Sequence, residues 1–66
     1  MDSVHLNLRP KDAAVYLGIA ESTLAKMRLR GDGPPYSKLG PRAVVYSTRD
    51  LDMWIESRKR NSTSQD

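Results

Sequence analysis

Gly18 places the tightest limit on what this chain can become. Before it, Ala13, Ala14 and Leu17 recur at helical spacing behind Pro10. After it, only Ile19 and Ala20 intervene before a second helical pattern over about residues 21–29, where Leu24 and Met27 stand three apart. A glycine just past the last periodic residue stops a helix because it takes the left-handed conformation at little cost. The first helix must therefore be short and end sharply, so that the second can project from the surface. Pro10 suits the first helical position, and Asp12 meets the helix dipole favourably in the first turn. Arg9 falls at the N-cap and is a poor cap.

The second pattern carries Ser22, Lys26 and Arg30 four apart, roughly opposite Leu24 and Met27. Leu29 lies off the apolar face and is expected to pack where the chain leaves the helix. Gly31-Asp32-Gly33-Pro34-Pro35 then ends the helix. Tyr36 to Leu39 and Val44 to Tyr46 read as two short strands around a turn at Gly40-Pro41-Arg42-Ala43. Such a pair is barely stable alone and must lean on helices. Ser47-Thr48-Arg49-Asp50 fits a capping box with Asp in place of Glu. Leu51, Trp54 and Ile55 then mark a third amphipathic helix. The layout is a flexible leader over 1–7, one domain over 8–58 and a disordered polar tail over 59–66. Leu6 and Leu8 are the points where the leader docks. The expected fold is mainly α with a small β-hairpin, in the order α-α-β-β-α.

A chain of 66 residues makes one domain with a marginal core. It has no cysteine, so no disulfide and no Cys-based zinc site. His5 is the only histidine, which argues against a metal role. No apolar run reaches membrane-spanning length and no export signal precedes the first helix, so a membrane partner is not expected. The net charge of +3 is unevenly spread: residues 1–25 carry −1, residues 26–42 carry +4 and residues 43–66 carry zero. A central basic patch suits a polyanion such as nucleic acid; it equally suits a solvated basic loop.

Two short helices on a tight turn form a helix-turn-helix candidate. Ala13 and Ala14 let the helices cross closely, and Leu17, Ile19, Leu24 and Met27 fill the angle between them. The second helix then offers Ser22, Thr23, Lys26 and Arg30 to solvent, groups that suit base edges and phosphates in a DNA major groove. The neighbouring ribbon reads as a wing, with Lys38 and Arg42 placed to touch the backbone or the minor groove. Phosphate grips position a protein on a duplex, whereas base contacts specify sequence. Enzyme chemistry has little support. There is no Cys nucleophile, no His–carboxylate pair at usable spacing and no Gly-rich phosphate loop, and so small a domain lacks room for a closed pocket. No cofactor and no small-molecule ligand are expected.

"AAVYLGI" with "STL" shortly after, "GDGPPYSKLG" and "DLDMWI" together resemble the small MerR-like helix-turn-helix proteins of bacteria, the excisionase and AlpA-like regulators. The resemblance runs from Leu8 to about Arg58. It implies a winged helix-turn-helix related to the MerR DNA-binding head, and a role in prophage or mobile-element excision or in transcription control. It implies double-stranded DNA as partner, in a bacterial cytoplasm and on the nucleoid when bound. By position, recognition-helix contacts fall on Glu21, Ser22, Thr23 and Lys26, and wing contacts on Lys38 and Arg42. Two departures stand out. Ala20 replaces the Ser or Thr common before the recognition helix, and Pro41 replaces a second basic residue. With Ala20 unable to cap, Ser22 either caps a helix that starts later or contacts bases. A monomer this small makes few contacts, so useful affinity calls for adjacent copies or a recombinase or regulator partner. A second reading keeps the scaffold without DNA, as a protein-interaction adaptor or anti-repressor.

The remaining candidates divide as follows. Trp54 is assigned to the core rather than to base stacking, and for Tyr36 and Tyr46, which flank the hairpin, packing is favoured over stacking. Tyr16 either reaches a phosphate or covers the core edge. Glu21 fits the helix N-terminus better than a cytosine contact. Arg49 faces DNA or solvent. Arg58-Lys59-Arg60 fits a solvated helix end better than a phosphate grip.

Overall fold

The computed structural model describes residues 6–59. His5 and all of the tail except Lys59 lie outside them. The chain forms β1 (Asn7–Leu8), α1 (Pro10–Leu17), α2 (Glu21–Arg30), β2 (Ser37–Lys38), β3 (Val44–Ser47) and α3 (Thr48–Ser57). It is mainly helical, with the α-α-β-β-α order of a winged helix-turn-helix. One element is additional: Asn7 and Leu8 pair antiparallel with Ser47 and Tyr46. The sheet is therefore three-stranded in the order β1-β3-β2, and β3 is its centre. Thr48 fastens this edge, since its amide donates to the Leu6 carbonyl at 2.9 Å and its Oγ1 accepts from the Leu6 amide at 3.1 Å.

Both helix exits use the same device. Gly18 has φ 77° and Gly31 φ 80°, each in the left-handed region. At the first exit the Gly18 amide donates to the Val15 carbonyl and the Ile19 amide to the Ala14 carbonyl, both at 3.0 Å. At the second, Gly31 donates to Arg28 at 3.2 Å and Asp32 to Met27 at 3.1 Å. These paired bonds satisfy carbonyls that a helix end otherwise leaves open, and they turn the chain within two residues. Gly33 serves a separate need. A Cβ there would stand 3.0 Å from the Met27 Cβ, so the loop lies directly against α2.

The core is small. Ala13, Ala14, Leu24, Tyr46 and Leu51 are fully buried, with Leu8, Leu17, Ile19 and Val44 packed around them. The two alanines let α1 approach its neighbours closely. On β3, Val44 and Tyr46 point inward by the two-residue period of a strand. Three expectations are corrected. Leu29 is 86% exposed, because the helix continues through Arg30 and carries it round to the solvent side. Ile55 sits at the rim, 36% exposed, and leaves Leu51 as the buried residue of α3. Ser47 is the N-cap of α3, but its Oγ accepts from the Arg49 amide at 3.2 Å, one residue earlier than a capping box requires.

Candidate nucleic-acid interface

α2 begins at Glu21, with Ala20 as N-cap and no side chain bonded to its first amides. Ser22 therefore lies inside the first turn and is not the cap. Leu24, fully buried, fixes how the helix is rotated. At about 100° per residue, Ser22, Lys26 and Leu29 share roughly 60° of arc on the side away from Leu24, with Arg30 and Thr23 beyond its Lys26 end. Glu21, Ser22, Thr23, Lys26 and Arg30 are all exposed. Glu21 stands at the positive end of the helix dipole, as its charge suits. Arg30 is drawn to its own helix exit, where its Nε stands 3.3 Å from an Asp32 carboxylate oxygen.

The hairpin is held by the Ser37–Val45 and Lys38–Val44 pairs. Its turn closes where the Leu39 amide donates to the Ala43 carbonyl at 2.7 Å. Lys38 and Arg42 are exposed on this ribbon, and so is Leu39, at 69%. Candidate residues of the helix and of the wing thus sit on two elements that share the Gly31–Pro35 loop.

What ties those elements together was not among the sequence candidates. Arg28 counted as one more charge in the basic stretch, yet it is half-buried. Its Nη1 donates to the Tyr46 hydroxyl at 3.0 Å, and its guanidinium lies 5.9 Å from the centre of the Tyr36 ring. Tyr36 and Tyr46 are themselves 6.0 Å apart, centre to centre, with ring planes inclined at 50°. Arg28 therefore bolts the last turn of α2 to the base of the wing. The signal was available: Arg28 follows Leu24 by four residues and shares its inward side. Arg58 does similar work from α3. It lies over the Trp54 ring at 4.9 Å and donates to the Asp32 carbonyl at 3.0 Å. Trp54 is half-buried beneath it. Lys59 pairs with Glu56 at 3.0 Å.

Tyr16 joins α1 to α3, its hydroxyl donating to an Asp52 carboxylate oxygen at 2.6 Å. Its phenol is held above its ordinary pKa. The first cause is this hydrogen bond, which favours the protonated form, followed by partial desolvation and by the Asp52 charge. Arg49 is exposed on the first turn of α3. Among the described residues no group of His, Cys, Asp or Glu is placed to hold a metal, and no helix is long and apolar enough to cross a membrane.

A family model described as a helix-turn-helix domain matches residues 8–59, from β1 to just past the end of α3. A search of curated proteins returns no match.

Proposed function

The chain belongs to the helix-turn-helix domain family, and from that premise we propose that it binds double-stranded DNA with sequence specificity. In this reading it acts as an excisionase-type factor or small transcriptional regulator, related to the MerR-like head. α2 enters the major groove with Glu21, Ser22, Thr23, Lys26 and Arg30 towards the bases and phosphates. The wing lays Lys38 and Arg42 on the backbone or in the minor groove. One observation carries the reading: α2 buries Leu24 completely while its opposite side, from Ser22 to Lys26, is open to solvent. A helix held by one side and bare on the other is the form a major groove admits.

So few contacts per copy call for neighbouring copies on DNA or a recombinase or regulator partner to reach useful affinity. Gel shifts on duplexes selected from a random pool, at two salt concentrations, test the proposal. The expected result is a shift that weakens steeply with salt. Lys26→Ala and Arg42→Ala each lower affinity while the melting temperature holds. Absence of a salt-sensitive shift on every duplex would leave the scaffold as a protein-interaction module instead.

A further inference from the structure

Leu29 is the most exposed large apolar side chain among the described residues, at 86%. It stands in the last turn of α2, seven residues after Ser22 and three after Lys26, at one edge of the arc that faces away from Leu24. Ser22 and Lys26 are its exposed neighbours on that side and Ala25 lies one turn back; at 86% exposure nothing within the fold covers it. A residue placed there meets whatever the helix meets.

We propose that Leu29 reads thymine, its methyl groups packing on the C5-methyl of a thymine in the major groove. This rests on the DNA-binding reading above and makes it more specific. The major groove displays hydrogen-bond donors and acceptors from every base pair but only one apolar group, the thymine methyl. An exposed leucine on a groove-bound helix has that group as its apolar complement. Leu29 lies about 10 Å along the helix axis from Ser22, so the thymine falls near one end of the recognised site. Charge decides against a second copy as the occupant. Lys26 stands beside Leu29 as an exposed charge with no tie among the described residues, and two such faces brought together would set cation against cation. A polyanion meets both the charge and the leucine.

The test removes the methyl from either side. Duplexes selected by the full chain are resynthesised with deoxyuridine replacing one thymine at a time, since uracil pairs like thymine but lacks the methyl. At one or two positions the native protein should bind the uracil form roughly fourfold more weakly, the value of one buried methyl group. Leu29→Ala should bind both forms alike and melt with the native protein, because the side chain it removes is solvent-exposed. Discrimination that survives in Leu29→Ala overturns the assignment, as do selected sites without thymine or native binding indifferent to uracil at every position. Loss of cooperativity on two-site duplexes, with the thymine preference of single sites intact, would make Leu29 a contact between copies and also overturn it. Failure to select any duplex would instead sink DNA binding itself, before uracil is introduced.

Discussion

Removing the Tyr46 hydroxyl tests whether a polar bolt, rather than the small core alone, holds the wing against α2. Tyr46 is fully buried, and its hydroxyl accepts from Arg28 at 3.0 Å. A hydrogen bond to a charged group contributes about 1.5–3 kcal/mol net, and half-exposure of Arg28 places this one near the lower end. The Tyr36 ring, at 5.9 Å from the guanidinium, adds about 0.5 kcal/mol at the limit of useful range. Tyr46→Phe keeps the ring packing and should cost about 1.5 kcal/mol. Arg28→Met keeps the aliphatic stem, loses both contacts and should cost about 2 kcal/mol, estimated by the same rule. The double variant should cost about 2 kcal/mol rather than the sum, because the shared bond can be lost only once. In a domain of this size, Tyr46→Phe then lowers the melting temperature by roughly 6–12 °C. Thermal and urea denaturation followed by circular dichroism read all four proteins. Strictly additive losses, or a Tyr46→Phe protein as stable as the native one, would refute the reasoning. The same variants separate bolt from grip on DNA. Arg28→Met, measured well below its melting point, should keep the native salt slope of binding, whereas Lys26→Ala should reduce it by about 0.9.

Two further outcomes follow from local chemistry. Ala20 leaves the first amides of α2 without a side-chain cap, so Ala20→Ser should stabilise by about 0.5–2 kcal/mol in urea denaturation. Tyr16 should ionise at higher pH than a free tyrosine in an ultraviolet titration, and Asp52→Asn should return it towards the ordinary value. Since the folded state raises this pKa, the stability it contributes is present below the unfolded pKa near 10 and is lost as pH climbs through the folded value.

The helices were legible in the sequence because their ends are written in backbone chemistry. Pro10 opens α1, Gly18 and Gly31 close α1 and α2, and Ser47 starts α3. Each acts within a few residues of itself, so a linear reading finds it. β1 was not legible for the opposite reason. A two-residue strand has no periodicity, and Asn7–Leu8 exists only because β3, some forty residues later, offers a free edge. Leu29 was misread on similar grounds. A leucine near a helix exit suggests packing, yet the helix runs one residue past the expected end and Leu24 has already fixed which side is buried. The seven candidate contact residues were selected by type and spacing, and the structure leaves all seven exposed. A count of charges is blind to the distinction between a cation facing out and one facing in; the four-residue step from Leu24 to Arg28 carries it, and reading the basic stretch by charge alone groups Arg28 with the others.

That distinction changes how the basic centre of the chain is counted. A core cluster of five buried side chains, two of them alanines, gives little apolar area with which to position a hairpin and three short helices. Polar ties supply the rest: Arg28 to Tyr46, Arg58 to the Asp32 carbonyl, Tyr16 to Asp52 and Thr48 to Leu6. Each joins segments far apart in sequence, and the first two converge on the α2 exit and the base of the wing. Arg28 is therefore occupied in holding the surface together, and Arg30 shares its charge with Asp32. Of the five cations between residues 26 and 42, Lys26, Lys38 and Arg42 remain as exposed charges without such a tie among the described residues. The charge that residues 26–42 offer to a phosphate backbone is nearer three per copy than five. At about 0.9 per neutralised phosphate these three give a salt slope of about 2.7. A steeper slope on selected DNA counts either further copies or a further cation such as the exposed Arg49, which Arg49→Ala separates by lowering the slope by about 0.9 only in the second case.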